Sequence, residues 1–356
     1  MLTKLQIKEI KEHFEKAQNP VFFFDNDPDG LCSFLLLQRW LGRGKGVSVR
    51  SFPDLNVQYF RKVHEFNADY IFILDKPVVS GEFFSEAEKH NIPVVWIDHH
   101  PIGKNALPAS VNYYNPLYNK KKTGEPVTAL CYQITNKKDD LWIAVVGCTS
   151  DRFLPEYYED FQEKYPDLSI DTKDPYDILY KSQIGKIARI INFGLKDRTT
   201  NVMNMIRFLL KARSPYDVLA ENQSNHSFHK RFGQIINIYI RLLKKAISLA
   251  EPQKKLLFFK YAGDMSISGE LSNELNYLFP DKMVVVAYIK GMEANISVRG
   301  KKSRDILLEA IKDIQDSTGG GHENAAGSKM KSKDLERFRE NLEKILKQKY
   351  IKSAFS

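Results

Sequence analysis

Through the first hundred residues, short apolar runs alternate with amphipathic stretches. Residues 21–24, 70–74 and 93–97 are apolar runs of strand length, and 47–52 reads as a further strand. Between the first and second of these, Leu31, Phe34, Leu35 and Gln38 share one side of a helix over 31–41, with Gly42 as its stop. Residues 57–66 and 80–90 also read as helices, the second with Ser80 at its cap. Strands alternating with helices predict βαβ units and a mainly parallel sheet flanked by helices.

The pattern continues with helices over 127–135 and 141–148. Residues 155–180, rich in Pro, Asp and Tyr, read as a surface excursion. A long, basic amphipathic helix is expected over 228–249, with Phe232, Ile235, Ile236, Ile238, Tyr239 and Leu242 on its apolar side. From Lys254 the alternation restarts: a strand at 256–259, a helix at 269–278, strands at 283–289 and 294–299 around a Lys290-Gly291 turn, and a helix at 303–314. A glycine-rich loop follows at 318–327. These changes predict an α/β chain with a first domain over 1–215, a helical linker over 216–250 and a smaller C-terminal α/β domain over 251–356.

Three of the N-terminal apolar runs lead into an aspartate: FFFDND, IFILDKP and VVWIDHH. In open parallel sheets ligands bind at the carboxyl ends of the strands, and right-handed crossovers bring those ends to one edge. Asp25, Asp75 and Asp98 are therefore expected to converge. Helix capping accounts readily for one such aspartate, and poorly for three with further Asp and His beside them.

Composition narrows the choices. The chain has 356 residues, room for two cores, and no apolar run of membrane-spanning length. Its first residues lack the continuous apolar stretch of a signal peptide, which predicts a cytoplasmic protein with no membrane partner. Three cysteines, Cys32, Cys131 and Cys148, lie far apart in apolar segments, a pattern that argues against disulfides and structural zinc. A formal charge of +9 favours a polyanionic partner without identifying it.

The chemistry resides in the acidic clusters. Asp25-Asn-Asp27-Pro-Asp29-Gly30 sets three carboxylates at alternate positions in a tight turn, where unpaired charges would repel one another and a divalent cation would relieve them. Asp75, the pair His99-His100 and Asp151 extend the set. Carboxylates with imidazoles and no thiolate suit Mn²⁺ or Mg²⁺, and the ligand count exceeds the need of one ion. Two such ions about 3.5–4 Å apart would activate water and neutralise charge on a transferring phosphoryl group. In the C-terminal half, Gly319-Gly320-Gly321-His322 lets backbone approach an anion, and Arg299 is suited to clamp a phosphate.

In this order, DNDPDG, a strand-end Asp, DHH and GCTSD resemble the motifs of the DHH phosphoesterase superfamily, in its RecJ-like or oligoribonuclease-like branch. GGGHENAAG resembles the DHH-associated substrate-binding domain. The resemblance implies two divalent cations, Mn²⁺ or Mg²⁺, one held by Asp25 and Asp75, the other by Asp27, Asp75, His99 and Asp151. It implies that Asp98 orients a histidine, that His100 faces substrate phosphate, and that Gly320, Gly321, His322 and Arg299 bind substrate. Many small-substrate members carry a histidine four residues before the first aspartate, where this chain has Val21. The implied activity is that of an exonuclease on single-stranded DNA or RNA, or on short oligonucleotides, releasing mononucleotides. Alternatives are a phosphoesterase of linear or cyclic dinucleotides or a 3′-phosphonucleotide, and a non-catalytic scaffold. Candidate protein partners are replication or repair proteins.

Overall fold

The computed structural model describes residues 1–50, 54–102 and 107–354. The chain divides into two compact units, Met1–Phe232 and Gly233–Ser356.

The first unit is built on a parallel sheet. Its strands are β1 (Pro20–Asp25), β2 (Lys45–Val49), β4 (Tyr70–Leu74), β6 (Val94–Ile97) and β7 (Val111–Tyr114), in the order β2-β1-β4-β6-β7. Two short strands, β3 (Asp54–Leu55) and β5 (Val78–Val79), pair separately. Alternate side chains of the central strands fill two cores. Phe22, Phe24, Phe72, Leu74, Val95 and Ile97 face one, and Val21, Phe23, Ile71, Ile73, Val94 and Trp96 the other. Burial on both faces is why these strands read as unbroken apolar runs. The expected strand over 47–52 is seen as Lys45–Val49; its last two positions lie outside the described residues.

The helix Pro28–Leu41 begins where β1 ends. Asp27 caps it by accepting from the Gly30 N–H at 2.9 Å, Pro28 supplies its first turn, and Gly42 closes it in the left-handed region. Ser80 caps Gly81–Lys89 as expected. The helix expected over 57–66 is a 3₁₀ turn, Val57–Phe60, continued by Arg61–Glu65.

Residues 155–180 are not a surface excursion. They carry the helices Tyr158–Lys164 and Pro175–Lys181, and Tyr158, Phe161, Tyr165, Leu168 and Ile178 enter the larger core. The polar residues that suggested a loop act as punctuation: Asp174 caps the second helix and Pro175 starts it. The long helix spans His226–Ile247, with Phe228, Ile235, Tyr239 and Ala246 buried; Ile238 is exposed rather than part of the apolar side.

The second unit holds β8 (Leu256–Ala262), β9 (Met283–Lys290), β10 (Glu293–Arg299), β11 (Thr318–His322) and β12 (Ala325–Lys331), in the order β11-β12-β10-β9-β8. β8 and β9 run parallel and the other pairs antiparallel. The β9–β10 turn is Gly291-Met292, since Lys290 pairs with Glu293. The glycine run expected to be a loop is the edge strand β11. The observed fold is α/β, with a parallel N-terminal sheet between helices and a smaller C-terminal mixed sheet.

Candidate metal centre and substrate-binding face

Strand β1 ends at Asp25, its neighbours β4 and β6 run directly into Asp75 and Asp98, and the helix turn after β1 adds Asp27 and Asp29. Gly30 makes that turn tight: a Cβ there would lie 2.6 Å from the Asp25 carbonyl oxygen. Ligand atoms of Asp25, Asp27 and Asp75 all lie within 4.8 Å of one another. The same holds for Asp75, His99 and His100, and for Asp29, His99 and Asp151. Asp75 adopts a positive φ of 57°, uncommon outside glycine, while its N–H still bonds to the Ile97 carbonyl. That bend carries the carboxylate out of the ladder and into the acidic group.

The electrostatics of the protein alone are unfavourable. Burial, then the charges of Asp25 and Asp29, push the Asp27 carboxyl up to about 8. Burial likewise raises Asp75, reinforced by Asp29, Asp27, Asp25 and Asp98, and it raises Asp29, reinforced by Asp151. Asp75 Oδ1 is buried with no hydrogen-bond partner; His99 Nε2 stands 3.4 Å away and His100 Nδ1 3.8 Å. Buried polar atoms are ordinarily bonded, and buried charges are ordinarily paired or bound to metal. An unsatisfied carboxylate oxygen among like charges and imidazoles, with no thiolate beside it, fits a hard divalent cation.

Asp98 is fully buried and accepts a 2.9 Å hydrogen bond from His100 Nδ1. Burial lowers the His100 pKa, but the bond to Asp98 and its charge outweigh that and leave the pKa raised. Asn115 Nδ2 donates to the His100 carbonyl at 2.7 Å and holds the backbone. Asp151 closes the helix Leu141–Ser150, with its carboxylate 3.5 Å from Arg152. In the tyrosine- and lysine-rich stretch after DHH, Tyr114 is buried, Tyr113 packs on Trp96 at 4.7 Å, and Tyr118 is exposed.

Two residues of this centre were not among the expected ligands. Asp29 accepts from the N–H groups of Val127 and Thr128, at 3.0 and 2.8 Å, satisfying the start of the helix Val127–Thr135. It is thus a carboxylate of the centre whose oxygens are already engaged. Lys76 is fully buried, with Nζ 2.8 Å from Asp25 Oδ1. Its only sequence signal is a lysine directly after a strand-end aspartate.

In the second unit, register relates the other expected residues. Arg299 pairs with Ala325 on one side, and His322 with Ala325 on the other. Directly paired residues share a face, so Arg299 and His322 flank Ala325 roughly 10 Å apart. The next paired row on that face is Ser297, Gly327 and Gly320, nearly free of side chains. A Cβ on Gly320 would meet nothing within 4 Å, whereas one on Gly321 would lie 2.6 Å from the Ala325 carbonyl oxygen. Arg299 is already held: Nε donates to Asn273 Oδ1 at 2.6 Å, and one terminal nitrogen donates to the carbonyls of Val298 and Ala326.

Sequence profiles of two families match the chain: the DHH family, N-terminal domain, over residues 21–148, and the DHHA1 domain over 253–348. The chain belongs to the DHH phosphoesterase superfamily. Among solved structures, this DHH protein is similar to exonuclease RecJ bound to manganese, with 17% identity, a TM-score of 0.65, and coverage of 97% of this chain and 94% of the other. It is similar to RecJ in complex with Mn²⁺ from Thermus thermophilus, at 15% identity and a TM-score of 0.68, covering 98% of this chain and 55% of that one. A pGpG-specific phosphodiesterase from Vibrio cholerae matches at 12% identity and a TM-score of 0.52, with 93% and 99% covered. At these identities the likeness is one of fold. No curated protein sequence matches the chain. Among the described residues, no helix is long and apolar enough to cross a membrane.

Proposed function

We propose that this protein is a divalent-metal-dependent phosphodiesterase that removes mononucleotides from single-stranded nucleic acid or short oligonucleotides. The observation that carries the reading is the buried, unsatisfied Asp75 Oδ1 among carboxylates whose pKa values are raised by burial and mutual repulsion. Asp27, Asp75, His99 and Asp151 are proposed to hold the ion, with Mn²⁺ or Mg²⁺ favoured by the oxygen-rich set. Asp25 and Asp75 outline a further position. A bound ion would supply Lewis-acid stabilisation of phosphate charge and an activated water.

The chain's own residues are assigned the remaining tasks. His100, fixed through Nδ1 by Asp98, is proposed to donate a proton or hydrogen bond to the substrate phosphate, a role its raised pKa suits. On the second unit, the open backbone at Gly320, with Gly321, His322 and Arg299 around it, is proposed to bind a nucleotide portion of the substrate. Because Arg299 is braced by Asn273, its guanidinium is preorganised, at the cost of donors left for phosphate.

The net charge of +9 and the likeness to RecJ support a nucleic-acid substrate. The likeness to the pGpG phosphodiesterase supports a second reading, with a linear dinucleotide as substrate. A length series of end-labelled DNA and RNA, from dinucleotide upward, digested with Mn²⁺ at several salt concentrations, separates them. Long polyanions lose affinity steeply with salt, whereas a dinucleotide offers few phosphates and a shallow dependence. Cleavage of the dinucleotide alone would overturn the exonuclease reading in favour of the second.

A further inference from the structure

Lys76 is a charged side chain with no exposure, placed at the acidic centre and outside the motifs that resemble the family. Its backbone is pinned, since the Trp96 indole N–H donates to the Lys76 carbonyl at 3.1 Å. Its Nζ donates to Asp25 Oδ1 at 2.8 Å, an oxygen that also accepts from the Asn26 N–H at 2.9 Å. A buried ammonium is tolerated where a carboxylate pairs with it, and here Asp25 is that carboxylate.

The corner around Asp25 is otherwise poor in ligands. Val21, four residues earlier on β1, is fully buried in the apolar core and offers no donor. Asp25 and Asp27 cluster with Asp75, and among the described residues no imidazole joins that group. The other corner differs: His99 and Asp151 cluster there, and His99 lies against Asp75. Asp25 is half-buried, but a divalent ion on it would share its carboxylate with a fully buried ammonium that cannot retreat into water, and two cations on one carboxylate repel.

We propose that the Lys76 ammonium is a built-in monocation on Asp25, so that this centre binds one divalent ion tightly, at the His99–Asp151–Asp75 corner, instead of two of comparable affinity. Lys76 is a positioning residue: it neutralises Asp25 and sets the ion count without touching substrate. The inference rests on the metal-dependent reading proposed above.

The test counts ions directly. Metal-stripped full-length protein is titrated with Mn²⁺ by calorimetry, and the product is examined by electron paramagnetic resonance, where two adjacent Mn²⁺ ions give an exchange-coupled spectrum. Wild type should take one tight ion with an uncoupled spectrum. Lys76→Met should gain a second ion, or bind it at least tenfold more tightly, with the coupled spectrum appearing. The double variant Asp25→Asn/Lys76→Met, which removes both charges and guards against misfolding of the single variant, should keep one ion at wild-type affinity. Two ions of like affinity in wild type overturn the proposal, as does a tenfold or greater loss of the single ion in the double variant. An unchanged single ion in folded Lys76→Met overturns it too. No ion bound by any of the three proteins would overturn the metal-dependent reading itself, and this proposal with it.

Discussion

Metal binding to this centre should be strongly pH-dependent, and Asp27 sets a minimum slope. Its carboxyl is pushed up to about 8 from an ordinary 3.8, by burial and by Asp25 and Asp29. At about pH 6 the metal-free protein therefore holds a proton there that an incoming ion must displace. For this one group, affinity should rise about tenfold per pH unit below its pKa, or roughly 50-fold (about 2.3 kcal/mol) between about pH 6 and 8. Asp75 and Asp29, raised in the same direction, steepen the dependence. Stability of the metal-free protein follows the opposite course. A carboxyl raised in the folded state stabilises below its ordinary value, and that contribution is lost as pH rises through the folded value. The metal-free protein should thus become less stable between 3.8 and about 8, and Mn²⁺ should restore most at the upper end. Calorimetric titration in buffers of different ionisation enthalpy counts the protons released. Affinity that is flat across this window, with no proton release, would refute the reasoning, because the carboxylates would then be ionised without an ion.

Other consequences concern single residues. Asp75→Asn should be the most damaging ligand change, since its carboxylate lies in both the Asp25–Asp27 and His99–His100 clusters; unchanged Mn²⁺ affinity would remove it from the centre. Asp98→Asn should lower the His100 pKa, read by NMR titration of the ring, and cut kcat/KM by roughly 10–100-fold while metal affinity falls less, as expected for a group that orients another. Gly321→Ala should destabilise the protein by about 1–3 kcal/mol, because its Cβ meets the Ala325 backbone. Gly320→Ala should melt like wild type yet bind oligonucleotide more weakly; normal affinity in that variant would remove the glycine face from substrate binding.

The convergence of strand ends was legible because two rules act together: parallel strands buried on both faces read as apolar runs, and crossovers of one hand align their carboxyl ends. Asp25, Asp75 and Asp98 follow from that. The character of each carboxylate was not legible. Asp29 sits in the same motif as Asp27, yet its oxygens are taken by the Val127 and Thr128 amides, partners far along the chain. The one signal of Lys76, its place directly after a strand-end aspartate, was weak because a lysine after a strand ordinarily reaches solvent; the fold shows it turned inward to Asp25. β11 escaped notice for a different reason. Three glycines have no side chains to alternate, so the period that marks a strand is silent, and pairing with β12 alone defines it. In residues 155–180, proline and aspartate suggested a loop while the apolar spacing of Tyr158, Phe161, Tyr165 and Leu168 marked a buried face.

The central claim is that this acidic centre hydrolyses phosphodiester bonds through a divalent ion. Metal-stripped protein incubated with end-labelled single-stranded oligonucleotides, first in chelator and then with Mn²⁺ restored in excess, tests it most directly. The account predicts no cleavage in chelator, release of mononucleotides once Mn²⁺ is restored, and loss of that recovery in Asp75→Asn. Undiminished hydrolysis in excess chelator would contradict the claim, and so would intact substrate in the presence of stoichiometrically bound Mn²⁺.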